Sequence, residues 1–283
     1  MKIIITGAGG LVGAHLARHL AANRQVLPLG HPDLDITDRE AVFHLIFSEC
    51  PDLIINCAVL GVDECESDPA LAHAINVAGP RTLAEAAAGV SAELLHFSTN
   101  YVFDGECEEQ SPYTIDDEPR PINVYGKTKL AGERAVREAT SKSFIVRTSW
   151  VYGPGKDSFL GTVHRHLSAG ERVRAIADVW ANTTYVADLV ARTEEIIERR
   201  HYATYHVVNS GWCSYAEFAR EAARLVGVAG AEVNKLIEVV EEANVKRLAR
   251  RPRSTPLRCI ESEALGLMPL RDWQAALAEY VAG

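Results

Sequence analysis

The chain opens with KIIIT, residues 2–6, which runs straight into the glycine turn GAGGLVG at 7–13. A continuous apolar run, rather than an alternating one, suits a strand covered on both faces. Gly7, Gly10 and Gly13 fall three residues apart, and LVGAHLARHLAAN (11–23) carries its apolar residues at helical spacing. Strand, glycine turn and helix in that order leave few folds open. Glycine permits the tight turn and a close approach of backbone to a ligand. The helix N-terminus behind it offers free N–H groups and the positive end of the helix dipole to an anion. The stretch therefore reads as a cradle for a dinucleotide pyrophosphate. Gly9 completes a G-x-G, but Val12 stands at the third glycine of G-x-G-x-x-G, so the match is to the three-residue spacing. A glycine turn that serves packing alone is the competing reading.

The alternation continues. QVLPLG (25–30), DLIINCA (52–58), ELLHFST (93–99) and SFIVRTS (143–149) read as strands. Between them, DREAVFHLIFSEC (38–50, capped by Asp38), DPALAHAINVAGPRTLAEAAAG (68–89, bent near Gly79–Pro80) and NVYGKTKLAGERAVREAT (123–140) read as helices. Right-handed crossovers between such units predict an α/β fold, a doubly wound parallel sheet with helices on both faces. Beyond residue 150 the pattern loosens. RVRAIAD suggests a short strand, YVADLVARTEEIIERR a helix and TYHVVNS a last sheet strand. The expected organisation is a dinucleotide-binding domain from residues 1–150 and 173–209, with a smaller C-terminal region from 151–172 and 210–283.

A net charge of −9 argues against nucleic acid as a partner. The local exception is VKRLARRPR (245–253), either a solvated face or a source of arginines for a substrate phosphate. The six cysteines, at 50, 57, 65, 107, 213 and 259, form no Cys-x-x-Cys pair and no zinc spacing, so neither a metal site nor a disulfide framework is expected. Cys57, in an apolar run, reads as a small buried residue. No apolar run approaches the roughly 20 residues that span a bilayer. The N-terminus reads as a strand, not a signal peptide. No membrane partner is expected, and the expected compartment is the cytoplasm.

Two Tyr-x-x-x-Lys pairs occur, Tyr125/Lys129 in YGKTKLAGE and Tyr152/Lys156 in YGPGK. Residues four apart share a face only on a helix. Pro154 between two glycines denies YGPGK a helix, whereas YGKTKLAGE lies within one. An unperturbed phenol titrates near 10, and a close ammonium favours the phenolate. Such a pair can give a proton to a ketone oxygen while hydride arrives at carbon. Ser98 and Thr99, at the carboxyl end of their strand, can hydrogen-bond the same oxygen. Cofactor choice stays open between NADH and NADPH. The second strand ends in LGHPD, which has neither a carboxylate at the strand end for a ribose hydroxyl nor an arginine for a phosphate. His31 there reads as a surface turn residue.

GAGGLVG, LDITD, INCAVLGVDECESDP, STNYVFDG, NVYGKTKLAGE, RTSWVYG and RPRSTPL together cover residues 7 to 257. This set resembles the extended short-chain dehydrogenase/reductases, and within them the dTDP-4-dehydrorhamnose reductase family. The resemblance implies a Rossmann fold with a C-terminal substrate-binding region. It also implies reduction by NADPH or NADH of the 4-keto group of a nucleotide-linked 6-deoxy sugar. It makes Tyr125 the general acid, Lys129 the residue that lowers its pKa and holds the nicotinamide ribose, and Thr99 the group that polarises the ketone. Gly7, Gly10, Leu11, Val12 and Gly13 would line the pyrophosphate, Asp35 and Ile36 the adenine, and Ala58 and Val59 the ribose and nicotinamide. Asn100, Trp150 and Arg251 would touch substrate. As residues alone, Trp150 also suits core packing, Asp35 a helix cap and Arg251 a surface charge.

Departures from the family bear on the sugar. Asn100 stands where an aspartate is usual. DVWANTT (178–184) lacks the Gln, Gly and Pro of the family's DQxGxPT segment and adds the bulk of Trp180. The loop after INCA is one residue short. Two other readings stay open. One is a non-catalytic NAD(P)-binding regulatory subunit like the methionine adenosyltransferase beta subunit, which also carries YGKTKL and an RPR stretch. The other is a nucleotide-sugar epimerase. A homodimer is a further expectation.

Overall fold

The computed structural model describes residues 1–106 and 111–283, so Cys107 lies outside the described residues. The first half runs β1 (Lys2–Thr6), α1 (Leu11–Leu20), β2 (Gln25–Leu29), α2 (Arg39–Glu49), β3 (Leu53–Asn56), α3 (Val62–Ser67), α4 (Pro69–His73), α5 (Gly79–Gly89), β4 (Glu93–Thr99), α6 (Val124–Ala139) and β5 (Ser143–Thr148). The second runs β6 (Val151–Tyr152), α7 (Phe159–Ser168), β7 (Val173–Ile176), β8 (Trp180–Ala181), β9 (Thr184–Tyr185), α8 (Val186–Arg199) and β10 (Thr204–His206). It ends with β11 (Cys213–Ser214), α9 (Tyr215–Leu225), α10 (Gly230–Leu236), β12 (Ile237–Val240), α11 (Ile260–Ala264) and α12 (Trp273–Ala282).

Six strands form one sheet in the order β10-β5-β4-β3-β1-β2, all parallel. The chain leaves β1 for β2 on one side and for β3 on the other, which makes the β1–β3 junction the switch point where such sheets bind ligands. Successive strand residues serve opposite faces. Ile3, Ile5, Leu95 and Phe97 pack with Leu16 and Leu20 of α1 and Leu189 of α8. Ile4, Ile54, Leu94 and Ile145 pack with Val42 and Ile46 of α2, Leu83 of α5 and Val136 of α6. A third core, built on Tyr152, Leu160, Val163, Phe218, Ala222 and Trp273, belongs to the C-terminal region. Among the described residues, no helix is long and apolar enough to cross a membrane.

Two local expectations are corrected. The helix expected over 68–89 is broken into α4, a π-helical turn at Ala74–Ala78 and α5, and the separate α3 precedes it. Pro80 lacks the N–H that would close the α-helical bond to Asn76, so the register widens just before it. The chain also does not rejoin the main sheet at residue 173. β7 pairs in parallel with β12, and the return begins with α8 and ends in β10. Both strands of that pair lie in the C-terminal region, where Ala175 and Ile237 join the third core.

Helix α6 sits closer to its neighbours than a side chain at Gly126 or Gly132 would allow. A Cβ on Gly126 would lie 2.1 Å from the Tyr101 carbonyl oxygen, and one on Gly132 would lie 2.2 Å from that of Asn76. Asn123 caps the helix by accepting from the Gly126 N–H at 2.7 Å. Glu133, on the buried side, takes two hydrogen bonds from Arg147 of β5, at 2.9 and 2.7 Å, and a short one from the Ser98 hydroxyl of β4. Gly132→Ala raises intrinsic helix propensity. The clash outweighs that gain, and we expect a net loss of about 1–3 kcal/mol in urea unfolding. A variant at least as stable as the parent would contradict this packing.

Candidate active site

The glycine turn is held by the backbone facing it. Gly7 has φ +69°, and a Cβ there would lie 2.5 Å from the Ala58 nitrogen. A Cβ on Gly13 would lie 2.5 Å from the Gly7 carbonyl oxygen, whereas Gly9 faces open space. The Gly10 N–H bonds the Gly7 carbonyl at 3.0 Å, and Gly10 is the N-cap of α1. Leu11 and Val12 start that helix and lean against the core beneath.

A cavity of about 280 Å³ opens beside this turn, lined by Gly7, Gly9, Gly10, His31, Leu34, Asp35, Ile36, Cys57, Ala58, Val59 and Ile75. Six residues assigned to cofactor from sequence thus meet in one place: Gly7, Gly10, Asp35, Ile36, Ala58 and Val59. Asp35 does not cap α2; Asp38 does, accepting from the Ala41 N–H at 3.0 Å. The Asp35 carboxylate instead accepts from the N–H and hydroxyl of Thr37, which hold its pKa below the usual value. An adenosine fits such a pocket, and the open turn at the N-terminus of α1 fits a pyrophosphate.

Tyr125 lies in the first turn of α6, with the Thr99 hydroxyl beside its phenol and acting to lower its pKa. Burial pushes the Tyr125 phenol up to about 12, against the smaller opposite effect of Thr99. Lys129, one turn further on, is 2% exposed. Its Nζ lies 2.7 Å from the Phe97 carbonyl oxygen and 3.1 Å from Nε2 of His96. Burial brings Lys129 down to about 8. Its amine is held by β4, and desolvation governs the phenol. A phenol protonated through the neutral range is a proton donor, the state needed to receive a carbonyl and release an alcohol.

Asn100 is buried between Thr99 and Thr255. Its Oδ1 accepts from the Thr99 hydroxyl at 3.2 Å, and its Nδ2 donates to the Thr255 hydroxyl at 2.6 Å. The Tyr101 ring meets Tyr125 edge-on at 5.9 Å. Trp150 adopts φ +37° and stacks on Tyr215 at 3.9 Å. Arg251 is not a free surface charge. It pairs with Asp63 at 2.7 Å and lines a cleft of about 520 Å³ with Asp178, Glu242, Arg247 and Arg253. The charges of Arg251 and Arg247 act on the phenols of both Tyr101 and Tyr215, so this cationic cleft lies close to the tyrosine pair. Trp180 exchanges backbone hydrogen bonds with Arg253 and Thr255, which ties DVWANTT to the arginine stretch.

The sequence reading passed over Asn56, His96, Asp63, Tyr101 and Tyr215. Asn56 and His96 carry a signal that could have found them, as polar residues inside strands covered on both faces. The partners of Asp63 and Tyr215 come from distant parts of the chain and leave no local mark.

A family model described as RmlD substrate binding domain matches residues 1–283. The chain is 41% identical to the dTDP-4-dehydrorhamnose reductase of Mycolicibacterium smegmatis over 285 residues, covering 99% of this chain and 85% of that protein. The crystal structure of a dTDP-4-dehydrorhamnose reductase from Clostridium acetobutylicum superposes with a TM-score of 0.92 at 37% identity, covering 100% of this chain and 99% of that one. One from Bacillus anthracis, in complex with NADP, superposes with a TM-score of 0.91 at 34% identity, covering 99% and 98%.

The depressed Lys129 value carries a pH dependence. The folded chain binds that proton more weakly than the unfolded chain. Between the two pKa values it holds fewer protons, and its stability rises with pH. We expect the stability of the parent relative to Lys129→Met to increase from about pH 8 upward, by at most about 1.4 kcal/mol per pH unit. A flat difference in urea unfolding across that range would contradict the burial of this charge.

Proposed function

The chain belongs to the RmlD substrate-binding-domain family, and on that premise we propose that it reduces the 4-keto group of dTDP-4-dehydrorhamnose with NADPH, giving dTDP-L-rhamnose. The observation that carries this reading is the convergence of Tyr125 and Thr99 near the pocket that opens beside the glycine turn. The bound nicotinamide would supply the hydride to the sugar C4. Tyr125 gives its phenolic proton to the carbonyl oxygen as charge develops there, and Thr99 donates a hydrogen bond to the same oxygen. Lys129 would hold the cofactor ribose. Asn100 holds Thr99, so the two hydroxyls keep their spacing. Gly7, Gly10, Leu11, Val12 and Gly13 receive the pyrophosphate, Asp35 and Ile36 the adenosine end, and Ala58 and Val59 the nicotinamide ribose.

Arg251 and Arg247 are placed to take the nucleotide diphosphate, and Trp150 with Tyr215 to pack against the sugar or base. The C-terminal region, to which β7 also belongs, would in this reading bind substrate. NADPH is favoured over NADH by the bound NADP of the Bacillus anthracis relative. His31, which lines this pocket, is a candidate partner for a ribose phosphate.

The test mixes protein with dTDP-4-keto-6-deoxyglucose, a 3,5-epimerase and either reduced cofactor, and follows nicotinamide absorbance. We expect oxidation of NADPH, with Tyr125→Phe slower by about 100-fold or more at nearly unchanged cofactor affinity. Cofactor binding without turnover by the parent would overturn the reductase reading and favour a regulatory subunit.

A further inference from the structure

Thr6, Asn56 and His96 are direct neighbours across β1, β3 and β4. All three are buried in a sheet covered on both faces. The row continues into α6 through Lys129. The Asn56 amide can be oriented from its partners. Its Oδ1 accepts from the Ala58 backbone N–H at 3.1 Å, and a backbone N–H can only donate. The Thr6 hydroxyl adds a bond to the same oxygen at 2.7 Å. The Asn56 Nδ2 is then the end that faces His96 Nδ1, at 3.0 Å. Nδ1 must accept, so it carries no proton. A neutral imidazole with a bare Nδ1 has its hydrogen on Nε2. That hydrogen points at the Lys129 Nζ, 3.1 Å away. An ammonium has three donors and no lone pair, so it would set donor against donor there. A neutral amine accepts from His96 and still donates to the Phe97 carbonyl at 2.7 Å.

We propose that His96 is a positioning residue that, in the tautomer imposed by Asn56, favours the neutral amine of Lys129 over the ammonium in the cofactor-free protein. The inference deepens the function proposed above and rests on it for the role of Lys129, but the hydrogen-bond logic stands on the free protein. The other titratable groups around Lys129 do not reverse it. Cys57 and Cys65 have raised pKa values from burial and stay neutral thiols. The Tyr125 phenol is likewise raised and neutral. Glu133, on the same helix, favours the ammonium, but its carboxylate is already taken by Arg147 and Ser98. Burial acts in the same sense as the geometry, bringing Lys129 down to about 8 and His96 well below its usual value. The charge of Lys129 becomes a variable set from the sheet rather than a fixed positive group.

The test is NMR on the full-length, cofactor-free protein labelled with 15N-histidine and 13C,15N-lysine, with Lys129→Met assigning the lysine signal. We expect His96 to show Nε2 protonated and Nδ1 bare throughout the neutral range. Lys129 should titrate near pH 8. In His96→Gln, whose side-chain carbonyl can turn toward the amine, the Lys129 midpoint should rise by about one unit, a tenfold change in the ratio of ammonium to amine. Asn56→Asp should reverse the tautomer, because a carboxylate accepts from Nδ1–H and leaves Nε2 to accept from the ammonium. Its Lys129 midpoint should also rise. A parent His96 protonated on Nδ1 overturns the proposal. So does a parent Lys129 at the ordinary lysine value of about 10.4. The tautomer is read on the parent, so the proposal can be refuted even if a variant fails to fold. Loss of the proposed sugar reduction would leave these spectra unchanged, which separates the two readings.

Discussion

The buried ion pair between Glu133 and Arg147 is the constraint on which the site depends. Their side chains are 5% and 7% exposed, and they meet in a two-point fork reinforced by Ser98. Burying two charges recovers little net stability, but removing either partner typically costs about 3–5 kcal/mol. Such a pair fixes position more than it adds stability. Tyr125, Lys129 and Glu133 follow one another at four-residue intervals and share one helix face. Clamping Glu133 to β4 and β5 therefore sets the depth and rotation of the stripe that carries the phenol and the amine. The glycines complete the seating, since Gly126 and Gly132 let the backbones of Tyr101 and Asn76 close on the helix from its other sides.

The sheet beneath α6 is unusual for a sheet covered on both faces. Apolar side chains fill most of it, yet Thr6, Asn56 and His96 form a polar row at the ligand-binding edge. Such a row is tolerable because its members satisfy one another. The Asn56 oxygen takes two donors, its nitrogen finds the imidazole, and the imidazole finds the amine. A partly satisfied network would cost more than leucines in the same places. The row also joins the two halves of the site. Asn56 holds the Ala58 N–H, and Ala58 closes on Gly7 at the turn read as the pyrophosphate cradle. Lys129 and the pocket beside the glycine turn are thus joined by one hydrogen-bonded span.

Much of this was legible in the chain because it is local. The strand, glycine turn and helix at residues 2–20 follow from a buried apolar run and positions that admit no Cβ. The helix over 123–140 differs from α6 by one residue at each end, because Asn123 caps it. What could not be read depends on distant partners. Gly126 and Gly132 look like weak points of a helix until the Tyr101 and Asn76 carbonyls are seen against them. Arg251 looks like one charge in a basic run, and only the fold brings Asp63 to it. RVRAIAD has the composition of a sheet strand, but its partner is β12 rather than the main sheet. The protonation of Lys129 and Tyr125 was read from their mutual spacing. Burial, which spacing does not report, dominates both.

The departure at Asn100 fits the charge layout of the site. A carboxylate there would stand beside Thr99 and close to a phenol already made hard to ionise by burial. It would oppose the negative charge that Tyr125 takes on as it gives up its proton. The amide avoids this and satisfies both neighbours, accepting from Thr99 and donating to Thr255. Thr255 belongs to the same RPRSTPL stretch that carries Arg251, so this hydrogen bond ties the neutral end of the site to its cationic end. Between them stand Tyr101 and Tyr215, whose phenols feel the arginines. A doubly charged diphosphate would sit with Arg247 and Arg251, and a carbonyl with Tyr125 and Thr99. In the proposed reaction, charge at one end and uncharged donors at the other would let the site take an anion at one end while Tyr125 and Thr99 meet a neutral carbonyl at the other.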